Sequence, residues 1–335
     1  MNTRLVVFCL CLLSIPSVWA QGGPPNPPPG GGTSPTSPLS QEPGPNPLAV
    51  ALLRWYNANQ TTSFVVAGQP VVPAFDGANI WVSNHTSSSV TKLRANDGAV
   101  LGTFSVGSVP EGVAFDGANI WTANSGSNNV TKLRASDGAL QGTFSVGGTY
   151  PVHAAFDGAN IWVSNHLSNT ASKLRASDGA LLGTFPVGSN PIGIAFDGAN
   201  IWTVNIGSNN VSKLRASDGA LLGTFSVGTS PWGLAFDGAN IWVSNNGGAS
   251  VTKLRASDGS LLGTFPVGIA PLGVAFDGAN IWVANADSNT VSKLKASDGT
   301  LLGTFPSLGS HPVGVGFDGA NIWVANQLSN TVSKL

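Results

Sequence analysis

Cysteine is almost missing: the 335 residues hold two, Cys9 and Cys11, both inside one apolar N-terminal run. The remainder of the chain therefore has no disulfide framework and no thiolate metal site. Charge is scarce too, with 9% Asp, Glu, Lys and Arg and a formal net charge of −1. A nucleic-acid surface needs clustered Lys/Arg to displace counterions, so that partner class is excluded. The apolar run from Leu5 to Ile15 is too short to cross a bilayer, and no transmembrane segment is expected. Glycine, by contrast, reaches 43 residues, which suits many short strands joined by tight turns.

The N-terminus reads as an export signal. Arg4 precedes the apolar run, and Val18-Trp19-Ala20 offers a cleavage site before Gln21. Residues 1–20 are thus expected to be a signal peptide, delivering the protein to the periplasm, the cell surface or the medium. Residues 21–47 are rich in Pro, Gly and Ser, a composition that cannot bury a core and predicts a solvated linker. Residues 48–60 place Leu48, Leu52, Trp55 and Tyr56 near one face of a short helix.

From residue 61 to 335 the sequence repeats itself. The tryptophan of Asn-Ile-Trp recurs as Trp81, Trp121, Trp162, Trp202, Trp242, Trp282 and Trp323, at intervals of 40 or 41 residues. One copy contains four β-rich runs, Ile192–Phe196, Asn200–Asn205, Val211–Ala216 and Leu221–Val227. Two joints are Asp-Gly pairs, Asp197-Gly198 and Asp218-Gly219, where glycine supplies the positive φ of a tight turn. Four antiparallel strands every forty residues make a propeller blade. The expected class is all-β, a seven-bladed β-propeller, with strands A to D running from the axis outward and each Trp packed against the next blade.

Strands A, B and C occur seven times but D only six within the repeats. The missing copy lies at Thr62–Val66, since Phe64 precedes Phe75 by eleven residues as Phe104 precedes Phe115. The N-terminal strand is therefore predicted to complete the last blade and leave the ring without a gap.

The stretch Pro271-Leu-Gly-Val-Ala-Phe276-Asp-Gly-Ala-Asn280-Ile-Trp282-Val-Ala-Asn285 resembles the YVTN-repeat (YncE-like) β-propeller family. Trp stands here where that family has Tyr. The likeness covers residues 61–335 and implies the fold; the family's members include surface-layer proteins and binding modules. A more distant likeness to virginiamycin B lyase propellers implies a metal with a His/Glu catalytic set, and no matching His-x-Glu or Glu-x-His occurs in this chain.

Comparing copies within the chain separates two ends of the ring. The A–B turn (Phe-Asp-Gly-Ala-Asn) and the C–D turn (Asp-Gly) are constant, while variation gathers in the B–C and D–A connections, which share the other end. All four histidines, His85, His153, His166 and His311, lie at the variable end with Glu111, Asp287, Tyr150 and Trp232. Residues just after the D–A proline are expected to ring the channel mouth: Val71, Glu111, Val152, Ile192, Trp232, Leu272 and Val313. The candidate ligand-binding set is Glu111, Ile192, Trp232, Leu272, Tyr150 and His153. His85, His311 and His166 are the candidate metal or acid/base residues, in the pairs His85/His311 and His153/His166.

Two further groups recur. The strand B asparagines, such as Asn245, form a ring expected to satisfy loop backbone groups. Lys92 and Arg94, with equivalents round the disc, are expected to form an outer charge belt paired with the turn aspartates. No catalytic motif and no cofactor is indicated. These features point to a monomeric binding, adhesion or scaffold module for a protein, glycan or small-molecule ligand. The alternative is a metal-dependent hydrolase or lyase of the lactonase or streptogramin-lyase propeller type.

Overall fold

A computed structural model describes residues 62–335, which form seven four-stranded antiparallel sheets. The expected signal peptide, linker and short helix all lie outside the described residues. Among the described residues no helix is long and apolar enough to cross a membrane. In blade 4 the strands are Pro191–Phe196, Asn200–Asn205, Asn210–Arg215 and Leu221–Ser226, each within one residue of the sequence reading. One residue past the last paired position of strand C, the Ala216 amide still donates in register to Ala199 O of the A–B turn, at 3.1 Å.

Ring closure follows the strand count. Ser63–Val65 pairs antiparallel with the last strand, Thr331–Lys334, with Phe64 opposite Val332. The Phe64 ring lies 5.6 Å from Trp323, matching the 5.3–5.6 Å of the other Trp–Phe pairs. The N-terminal strand is the outer strand of blade 7.

The constant Asp-Gly-Ala-Asn-Ile-Trp motif builds one lock per blade. In blade 1, Asp76 Oδ1 accepts from the Ala78 and Asn79 amides at 2.9 and 2.7 Å. Its Oδ2 accepts from Trp81 Nε1 at 2.8 Å. Burial raises the Asp76 pKa, but these bonds outweigh it and hold the carboxyl below the usual range. Gly77 completes the turn at φ +98°.

The lysines depart from the charge-belt reading. Arg94 pairs with Asp97 at 2.9 Å on the surface, as expected. Lys92, however, is buried. It stands opposite Trp81 in the ladder, with Nζ 5.1 Å from the indole ring. Nζ donates to Ala135 O and Ser136 O of the next blade, at 2.7 and 3.0 Å. Strand C is covered on both faces by neighbouring blades, so its side chains cannot be sorted into a wet and a dry face. The cation is an interblade clip.

Strand A lines the axis and carries the site. In all seven blades its pairing with strand B is irregular just after the leading proline, between Pro151 and Ala154 in blade 3 for example. Such bulges re-aim side chains at rims. Here they bury most residues directly after the proline and bring the next position to the axis.

Candidate functional site

The axis holds a cavity of about 140 Å³ bordered by the second residue after each D–A proline: Val72, Gly112, His153, Gly193, Gly233, Gly273 and Gly314. Five of the seven are glycine because the strands A of adjacent blades nearly touch. A Cβ at Gly193 would lie 2.7 Å from Trp232 O, and one at Gly112 would lie 2.6 Å from the His153 Cα. Val72 and His153 are the positions where this inner ring bears side chains. Trp232 reaches the same cavity from the position before, as does Val313.

His153 is a channel residue, seated in strand A, and its amide is held by Ser164 Oγ at 3.1 Å. Burial lowers its pKa to about 4, so the imidazole is neutral at physiological pH. The cavity is thus uncharged: one neutral imidazole, one indole, aliphatic groups and glycine backbone. Its volume is of the class that admits a benzene-sized molecule.

The expected rim divides when seen in place. Trp232 and His153 border the cavity. Ile192 and Leu272 are buried, as are Val71, Val152 and Val313. Val71, Leu272, Ala286 and Val313 form one apolar cluster, with Trp232 partly buried against it. Tyr150 stands apart, half-exposed, with its ring 5.7 Å from His166.

Glu111 occupies this same layer. Its Oε1 lies 3.1 Å from His85 Nδ1 of blade 1, too poorly aligned for a regular hydrogen bond. Burial raises its pKa to about 7, against a lowering contribution from the Ser125 hydroxyl. Burial pushes His85 down. Backbone ties fix the pair: Ser83 Oγ donates to the Glu111 carbonyl, and the His85 amide donates to Gln69 O at 3.0 Å. A buried carboxyl beside an imidazole, both titrating toward neutrality, is a group that can hold or pass one proton.

The histidine pairs suggested by blade adjacency do not form. His85 meets Glu111, while His311 faces Asp287 at 3.8 Å on the surface. His166 packs on Tyr150, its Nε2 3.4 Å from Asn190 Nδ2, and takes no part with His153. Burial lowers the His166 pKa, opposed by hydrogen bonds with the Pro191 and Asn190 backbone. Among the described residues no three His, Cys, Asp or Glu side chains converge as a metal site would require.

Residues that the sequence reading left aside complete the picture. Ser125 and Ser83 belong to the Glu111 site, and Val72 belongs to the inner ring. Aligning the residue after each strand B, His85, Ser125, His166, Ile206, Asn246, Ala286 and Gln327, exposes Ser125 as one of its small polar members. The asparagine ring is buried, and its amides serve hydroxyls as much as loops. Asn245 Nδ2 donates to Ser250 and Thr252 hydroxyls at 3.1 and 2.9 Å, while its Oδ1 accepts from the Gly228 amide at 3.0 Å.

Known structures share this architecture. Hydrazine synthase of Kuenenia stuttgartiensis aligns with a TM-score of 0.71 and 19% identity, over 80% of this chain and 96% of that one. A streptogramin B lyase aligns at 0.70 with 17% identity, over 81% and 95%. Virginiamycin B lyase from Staphylococcus aureus gives 0.70 and 17%, over 81% and 97%. At such identity the likeness shows the fold, a seven-bladed propeller. No family model matches this chain, and no curated protein does.

Proposed function

We propose that this chain is an exported, non-enzymatic binding module of the YVTN-repeat propeller type, engaging its ligand at the variable end. The observation that carries this reading is the axial cavity. It is uncharged and small, lined by both backbone polar atoms and apolar groups and bordered by Trp232 and His153, in a ring whose other end repeats one turn motif. Such a cavity fits an uncharged ring or the apolar tip of a larger partner. The Glu111–His85 pair beside it supplies a polar contact.

Thermal-shift screening of uncharged aromatic and sugar-ring compounds tests this, with parent protein and Trp232→Ala run side by side. A compound that raises the Tm of the parent and not of the variant supports the reading. Compounds that stabilise both proteins equally would place binding elsewhere. Turnover of a lactone or cyclic depsipeptide that depends on a bound divalent metal would replace it with the hydrolase or lyase alternative.

A further inference from the structure

The outer edge of the ring carries the same two-residue apolar step in one blade after another. Strand D opens on Leu221-Leu222 in blade 4, and its counterparts run from Val100-Leu101 in blade 1 to Leu301-Leu302 in blade 6. Each strand D is the last strand of its sheet. Of the eighteen large hydrophobic side chains exposed among the described residues, eleven belong to these steps, at 40–63% exposure. Blade 2 supplies the exception, Leu140-Gln141. Apolar surface rimmed by polar residues marks interaction sites.

A bulge puts both residues outside. Lys213 stands opposite Gly223 and Leu214 opposite Leu221, so Leu222 is one residue more than the partner strand can pair. The same irregularity recurs in the other five of blades 1 to 6. An extra residue at an edge bends the strand and interrupts its outer row of backbone groups. That discourages strand addition and leaves the aliphatic side chains as the contact surface. The exposure is built into the backbone.

We propose that these steps form a contact belt between copies of this chain, the aliphatic pair of one ring packing on that of another. Charge balance favours a second copy as the occupant. The formal net charge is −1, so copies do not repel one another at neutral pH. Strand D carries no charged residue in blades 1 to 6. Each step follows a C–D turn with a matched cation and anion, such as Arg215 and Asp218 at 2.9 Å in blade 4. Two such turns related by a two-fold axis set the Arg of each beside the Asp of the other. A partner of one dominant sign would find no complementary field here.

Area fixes the form of the assembly. One step offers two half-exposed aliphatic side chains, far below the ~800 Å² per partner of a stable interface. A single contact is therefore weak. Because blades 1 to 6 offer equivalent steps, one ring can hold several neighbours at once, and the contact propagates instead of closing as a dimer. The belt lies on the outermost strand and the axial cavity on the innermost, so association and ligand binding occupy different surfaces.

Static light scattering of the full chain over a concentration series tests this. The weight-average mass is expected to rise roughly twofold or more between ~10 µM and ~1 mM. Blade 2 suggests the variants. Leu182→Gln/Leu222→Gln/Leu262→Gln copies the Gln141 arrangement into three more blades without changing charge, and should hold the mass near that of one chain. Gln141→Leu completes the belt and should strengthen association. Trp232→Ala should associate like the parent, even where it abolishes ligand binding. A parent mass of one chain throughout the series, or equal association of parent and triple variant, would overturn the proposal. So would a parent that stays single yet floats with neutral phosphatidylcholine vesicles while the triple variant does not, which would give the belt to a lipid surface.

Discussion

At the end holding the A–B turns, seven aspartates each accept from a tryptophan indole and two backbone amides. At the opposite end, His85, Ser125 and His166 occupy one structural position, and each donates its backbone amide to the residue before the proline that opens its own blade, at 2.9–3.0 Å. The first end needs particular side chains to form its turns, so repetition there is obligatory. The second ties this position through its backbone amide, while Asn and Ser side chains such as Asn128 and Ser127 hold the D–A loops, so the side chain at this position is free to differ. That freedom is what lets one end of the ring carry a site.

Several substitutions sharpen this contrast. The largest loss is expected at the uniform end: Trp242→Ala empties an interblade core and strips Asp237 of its indole partner, costing about 3–5 kcal/mol in urea unfolding. Next comes Glu111→Gln. An acid whose folded pKa is raised keeps its proton longer when folded, so stability falls from the ordinary carboxylate range up to about 7 and is level above. The variant should match the parent at pH 4 and exceed it by roughly 3 kcal/mol at pH 8, with binding at the variable end as the second readout. Equal stability at both pH values would show that Glu111 is solvated.

Lys253→Met should cost about 1–3 kcal/mol, because it leaves Ala296 O and Ser297 O without their donor. Val109, β-branched and left-handed at φ +54°, marks strain in the variable end; Val109→Asn should recover about 1 kcal/mol. Smallest of all, Arg255→Met removes an exposed pair with Asp258 and should shift stability by under ~0.5 kcal/mol. If the Lys253 and Arg255 variants behaved alike, the clip would be no stronger than a surface ion pair.

Blade number, strand order and closure were legible because the repeat states them seven times, and Phe64 betrays the displaced strand by its spacing alone. The lysines were misread for a physical reason. Lys-Leu-Arg looks like an alternating half-wet strand, and only the neighbouring blade's cover shows that Lys253 is inside while Arg255 is out. Within the candidate site, His153 was recognisable as a replaced glycine. That it borders the axis while Ile192 is buried depends on the bulge after the proline, which leaves no residue signature. The Glu111–His85 contact joins residues of two blades across a loop, and spacing along one chain does not encode it.

The forward reach of each lysine has a consequence for how such a ring changes over generations. Blades 1 to 6 each carry a lysine as one half of a joint and, in the C–D turn, the carbonyls that form the other half, as Lys213 meets Ala256 and Lys253 meets Ala296. A forty-residue stretch copied in tandem within the gene would therefore arrive with both halves, and its flanks would find complementary neighbours without new adaptation. Circumference, not seam chemistry, is then what fixes the blade number, and the near-identity of the copies is the trace such growth would leave.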